Sequence, residues 1–171
     1  DLVKMNSATF EATGGKTTVI KGDSIAQTDG TKTNTSTASG NTVADGTKST
    51  ETTAAGQVIK DGTKTNTSTV DENTLVDGAK SNKTTVDSNV IDDGNGNVNT
   101  SNATSNTITD GTNTTTITAG KATIGSSVVD GVNNTITTGG ANAVTLDGAA
   151  GTITGLTNKD WTPGVTKAVT G

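Results

Sequence analysis

The sequence has no cysteine, histidine, tyrosine or arginine, and only one proline, one phenylalanine and one tryptophan in 171 residues. Each absence removes a class of chemistry. Without histidine or cysteine there is no nucleophile–histidine pair, no thiol catalysis and no imidazole or thiolate metal site. All 12 basic residues are lysine, the sequence pI is about 4.5, and only Phe10 and Trp161 could stack on a base, so nucleic acid is not an expected partner. No run of 18 apolar residues and no signal-peptide pattern occurs, so no direct membrane contact is expected within this stretch. Helical periodicity is missing too, since no stretch sustains apolar residues at i, i+3, i+4 and i+7. Lack of cysteine is compatible with a bacterial surface, where no disulfide is compulsory.

Large apolar side chains are scarce. Leu, Ile, Val and Phe make up 29 of 171 residues, or 17%, below the ~20% at which disorder is suspected. That suspicion also requires high net charge, and −5 over this length is modest.

What is present is a repeat. The nine residues "DGTKTNTST" occur at 29–37 and again at 61–69. Asp-Gly pairs at Asp29, Asp45, Asp61, Asp77 and Asp93 are 16 residues apart; Asp110, Asp130 and Asp147 follow at 17, 20 and 17. Two residues before the Asp stand Val43, Ile59, Leu75, Ile91 and Ile108, and three residues after it Lys32, Lys48, Lys64 and Lys80. A regular period of this kind marks one structural unit stacked on the next. Thr, Ile and Val number 41, 9 and 15, the β-branched residues that suit a pleated strand. Asp-Gly is a favoured hairpin dipeptide because Gly takes the positive φ and Asp tolerates it. Each period therefore predicts a short strand such as "NTLV", an Asp-Gly turn, and a second strand such as "KSNKTTV" ending on Val86. The fold class is all-β, with strands of about 4–7 residues.

One large aliphatic per strand is a stripe, not an interior. It has to be buried against copies of itself, on the next coil of a single-chain β-solenoid with 16-residue coils or on another chain. Both make the molecule elongated.

Candidate chemical sites are few. Paired carboxylates could cleave a glycosidic bond, but the Asp residues recur once per unit at the turn, which already explains them; no catalytic residue is assigned and the protein is not expected to be an enzyme. At 92–99, "DDGNGNVN" places Asp93, Asn95 and Asn97 like the start of a calcium loop, yet Val98 and Thr104 stand where Gly and Glu are needed. A glycine-rich turn is favoured, and neither metal nor cofactor is expected. Asn-x-Ser/Thr triplets begin at Asn34, Asn66, Asn82, Asn99, Asn102, Asn113 and Asn133, as a chain rich in both residues produces by chance. Thr31, Thr33, Thr35 and Thr37 alternate along one strand, and stacked copies would form the threonine ladder of an ice-binding β-solenoid. Ser49 and Glu51 interrupt the row in the next unit.

The last 21 residues carry the most specific signal. "GTITGLTNKDWTPG" at 151–164 holds the only Trp and the only Pro, and "VTKAVTG" closes the chain. This stretch resembles the tryptophan-ring segment of trimeric autotransporter adhesins, in which a Gly-Leu-Thr-Asn run leads to a Trp before the chain enters a neck. The repeats lack the Ser-Val-Ala-Ile-Gly signature of some heads in that family.

The resemblance implies a homotrimer on the bacterial cell surface, extracellular and anchored in the outer membrane by a region outside this sequence. It implies a trimeric β-prism with short strands across the fibre axis, whose core would comprise Val43, Ile59, Leu75, Ile91, Ile108, Leu156 and Trp161. The chain, which opens on Asp1 in mid-pattern, would then divide into an N-terminal β segment (1–24), 16-residue repeats (25–110), divergent repeats (111–150) and a tryptophan-ring segment (151–171). Its function would be adhesion or spacing, with host matrix proteins, cells or abiotic surfaces as partners.

Overall fold

The computed structural model describes residues 6–156. They are all-β: nineteen strands of three to six residues and, among the described residues, no helix. The chain divides into two units, one ending at Gly94 and one beginning at Asn95. The division falls inside "DGNGNVN", where the 16-residue spacing first loosens.

The first unit holds β1 (Ser7–Ala12), β2 (Lys16–Lys21), β3 (Ser24–Thr28), β4 (Lys32–Thr37), β5 (Gly40–Asp45), β6 (Lys48–Thr53), β7 (Gly56–Asp61), β8 (Lys64–Thr69), β9 (Glu72–Asp77), β10 (Lys80–Thr85) and β11 (Ser88–Asp92). Each strand pairs antiparallel with the next in sequence. The second unit holds β12 (Val98–Asn102), β13 (Ser105–Thr109), β14 (Thr114–Thr118), β15 (Lys121–Ile124), β16 (Ser127–Asp130), β17 (Thr135–Thr137), β18 (Thr145–Asp147) and β19 (Thr152–Thr154), paired in the same way. Within each unit strands meet only their sequence neighbours, so each sheet is a meander one layer thick.

The period of 16 is two six-residue strands and two two-residue turns, and the two turns use different chemistry. At the first, Gly46, Gly62 and Gly78 have φ of 60°, 59° and 62°. Gly is the first central residue, and the next residue has a negative φ, the pattern of a type II′ hairpin. The Asp before it is not in the turn, as the dipeptide alone suggested. It is the last residue of its strand and pairs directly with the Lys that opens the next: Asp45 with Lys48, Asp61 with Lys64, Asp77 with Lys80.

The second turn is held by a threonine. Thr69 Oγ1 accepts the backbone N–H of Asp71 (3.2 Å) and of Glu72 (3.1 Å) and donates to the Glu72 carbonyl (3.3 Å). Thr37 and Thr85 repeat the arrangement around Ser39-Gly40 and Asp87-Ser88. The strand expected to end on Val86 therefore stops at Thr85, and Val86 lies in the turn, 95% exposed.

The Asp-Gly turns of the second unit are longer, and Asp folds back into them, as Asp29 does in the first through the N–H groups of Thr31 and Lys32. Asp110 Oδ1 accepts the N–H of Thr112 (2.9 Å) and of Asn113 (2.6 Å), and Oδ2 accepts the Asn113 side-chain amide (3.0 Å). Asp130 repeats this with Val132 and Asn133, and Asp147 with the N–H groups of Ala149 and Ala150. These are Asx turns, in which a side-chain oxygen replaces a backbone acceptor.

No large apolar side chain is buried among the described residues; the only buried residue is Asp130.

Candidate functional site

A sheet of this kind has two faces, and alternation along each strand decides which side chains share one. In the first unit the register places a single line across all eleven strands: Phe10, Thr18, Gln27, Asn34, Val43, Thr50, Ile59, Asn66, Leu75, Asn82 and Ile91. Val43, Ile59, Leu75 and Ile91, four residues of the sequence column, thus stand on one face, on every second strand, with a polar residue between each pair. All four are exposed, Ile59 by 43% and Leu75 by 53%. An open hollow of about 440 Å³ over Phe10, Gln27 and Val43 lies at one end of this line.

Charges and amides flank the line on the same face. On one side Lys32, Asp45, Lys48, Asp61, Lys64, Asp77 and Lys80 alternate in sign strand by strand, with Lys–Asp separations of 3.5, 3.3 and 3.3 Å for Lys32–Asp45, Lys48–Asp61 and Lys64–Asp77. On the other side amides bridge the strands. Asn41 Nδ2 donates to Asn34 Oδ1 (2.9 Å) and Ser36 Oγ (2.7 Å), and Asn89 Nδ2 to Asn82 Oδ1 (3.0 Å) and Thr84 Oγ1 (2.7 Å). Asn66 Oδ1 is out of solvent and has no partner. The opposite face carries threonines mixed with half-buried Val19, Val58, Val76 and Val90, and there Glu72 pairs with Lys83 and accepts a hydrogen bond from Thr74 Oγ1 (3.1 Å). Lys83 and Thr74 hold the Glu72 carboxyl below its usual pKa.

The second unit is patterned differently. Ile117, Ala122, Val129, Ile136, Leu146 and Ile153 face one another strand after strand, without a polar residue between them. Ile108 and Ile124 share this face, on the two sides of Thr115. No Asp, Glu or Lys stands on this face in any strand of the unit; Lys121, Asp130 and Asp147 are all on the other. That other face carries a row of Thr100, Thr107, Thr116, Thr123, Val128, Thr137, Thr145 and Thr154, in which Thr137 and Thr145 are linked by a 3.2 Å hydroxyl contact. Leu156 follows the last strand, 69% exposed. Trp161 lies outside the described residues.

Covering half-exposed aliphatics of this size contributes on the order of 1 kcal/mol each. Exposed apolar lines on this scale mark interaction surfaces. Little else in the described residues could do chemistry. No three carboxylates converge to hold a metal ion, and Asp93, Asn95 and Asn97 are each engaged in interactions of their own. Apart from Glu72, the perturbed carboxyls stand at turns. Asp110 is lowered from the usual 3.8 to about 2, chiefly by the Asn113 N–H and then by that residue's side-chain amide. Asp130 is lowered by the same groups of Asn133, with the N–H of Val132 and the ammonium of Lys121, 3.7 Å away, adding to the effect.

The column Val43, Ile59, Leu75, Ile91 was legible from its spacing. The continuous line of the second unit was not, because its members are 5, 7, 7, 10 and 7 residues apart. Comparisons of the chain with protein-family models, with curated proteins and with solved structures found no match.

Proposed function

We propose that this chain is a non-catalytic adhesion or spacer module of a bacterial trimeric fibrous adhesin, in which three copies cover one another's aliphatic faces. The observation that carries the proposal is that, among the described residues, no large apolar side chain is buried although one face of each sheet carries a line of aliphatics. A one-layer meander has nowhere within itself to bury that line. The resemblance of Gly151–Gly171 to a tryptophan-ring segment supplies the trimer and the cell-surface setting.

In this account each sheet is the wall of a β-prism, with strands crossing the fibre axis and three copies of Val43, Ile59, Leu75 and Ile91 in the one unit, and of Ile108 in the other, meeting level by level. Each 16-residue period then adds two strands, or about 9.5 Å of fibre. The outward-facing threonines, with Lys60 and Lys83, are what a host matrix protein, a cell or an abiotic surface would meet. The native mass tests the assembly: sedimentation equilibrium should return three chains of 16.9 kDa. A folded monomer at every concentration would favour the single-chain β-solenoid.

A second reading is favoured by one specific observation. The threonine row of the second unit is broken only by Val128, unlike that of the first, where Glu51 and Lys83 interrupt it. Such a row suits a face that binds ice. It predicts thermal hysteresis, and its loss on Thr116→Lys with Thr137→Lys.

A further inference from the structure

The two aliphatic faces differ in what it costs to cover them. On the first unit's face the aliphatics are spaced by Thr50, Asn66 and Asn82 and flanked by the Lys–Asp ladder, so covering it also takes charges and amides out of water. Desolvating ions is expensive even when they are paired. The second unit's face asks for far less, since six aliphatics run side by side, every charge of its strands is on the far side, and its amides, Asn99 and Asn106, stand only on β12 and β13, beyond the end of the line.

We infer that the line Ile117, Ala122, Val129, Ile136, Leu146 and Ile153 is the surface through which copies of this chain first dock on one another, and that the face of β4–β11 closes only after it. This rests on the self-association proposed above and assigns the order and place of contact. The occupant is a second copy on grounds of charge. The chain is acidic overall, at −5, so two copies repel except where a face carries no charge. The ladder on the first unit alternates in sign at every strand, and only a surface alternating at the same spacing answers it. A second copy carries that pattern.

The absence of cysteine makes the test clean. Two paired variants of the full chain, Val129→Asp with Ile136→Asp and Ile59→Asp with Leu75→Asp, are followed by sedimentation across a dilution series, with strand content read by circular dichroism. The first pair should raise the concentration of half-assembly on the order of 100-fold or more, and the second should raise it far less. Single cysteines keep the inference testable if a charged pair unfolds. On oxidation during dilution, Ile136→Cys should still form covalent dimers at concentrations where Leu75→Cys no longer does, and Thr137→Cys, on the opposite face, should form none. The inference is overturned if Leu75→Cys crosslinks at least as readily as Ile136→Cys, or if the first-unit pair alone dissolves the assembly. In both cases self-association itself survives. A wild-type chain that sediments as a folded monomer throughout would overturn both.

Discussion

The two units are built by the same rule and use the same dipeptide in opposite ways. In the first, from Asp45 to Asp77, Asp-Gly closes a two-residue turn, and Asp faces the lysine that opens the next strand, while Asp29 caps a longer loop there. In the second, the loop after Gly is longer, and Asp turns inward to take up two backbone N–H groups. From Asp45 onward the spacing records the difference: 16 residues through the tight turns, 17 to 20 among the longer loops that Asp caps. A tight turn also fixes register, which puts Val43, Ile59, Leu75 and Ile91 on alternate strands. Looser turns let strands shorten and let every strand contribute an aliphatic. Regularity gives a wall that can be lengthened by copying; irregularity gives a patch that occurs once.

Deletions should break that contrast most severely. Removing 48–63 joins Thr47 to Lys64 and keeps the turn "DGTK", so β5 meets β8 as it met β6. Stability should fall only by the lost interfaces, since each strand touches only its neighbours. Removing 48–55 instead takes out one strand, places Val58 opposite Val43, and moves Ile59, Leu75 and Ile91 to the other face. Native mass and thermal melting should show a shorter, intact assembly in the first case and a disassembled chain in the second. If both deletions melt alike, the 16-residue frame has no structural meaning.

Substitution of the turn carboxylates is the next step down. Asp130→Ala strips acceptors from the N–H groups of Val132 and Asn133 and leaves Lys121 alone, whereas Asp61→Ala removes only an exposed ion pair. Exposed pairs contribute little. The thermal midpoint should drop clearly for Asp130→Ala and stay nearly unchanged for Asp61→Ala; equal losses would mean that the ladder matters as much as the caps.

Acid should sharpen the same contrast. The folded-state pKa of Asp110 is depressed, so its contribution is fully present above the usual 3.8 and is lost as pH falls through about 2. Carboxyl NMR titration should find Asp110 titrating near 2, and Asp110→Asn should remove its share of the stability change between those limits, leaving that of Asp29, Glu72 and Asp130. A titration near 4 would contradict the hydrogen bonding described here.

The smallest effect belongs to the ladder. Lys64→Ala, which removes the partner of Asp77 at 3.3 Å, should shift the melting midpoint only slightly, and high salt should erase even that.

Much of the first unit was legible because tight turns leave periodic residues behind. Asp-Gly, the aliphatic two residues before it and the lysine three residues after it all follow from one hairpin geometry. The second turn left a trace too, since Thr37, Thr53, Thr69 and Thr85 stand eight residues after each Asp. With 41 threonines in the chain that trace is hidden among residues serving as strand formers. Facing was harder still. Whether Lys48 shares a face with Ile59, or Lys121 with Ile117, depends on turn lengths that unequal spacing does not reveal; the first pair shares one and the second does not. Val58, Val76 and Val90, next to the aliphatic column in sequence, fall on the opposite face because neighbours along a strand alternate.

The central claim is that the aliphatic faces are covered by other copies of the chain. Isotope-filtered methyl NOEs in assemblies mixed from labelled and unlabelled chains read this directly. Ile136, Ile117 and Ile59 methyls should show contacts to a second chain, and the Thr107, Thr116 and Thr137 methyls on the opposite face should show none. Folded chains whose isoleucine methyls see only water and their own strand neighbours would contradict it.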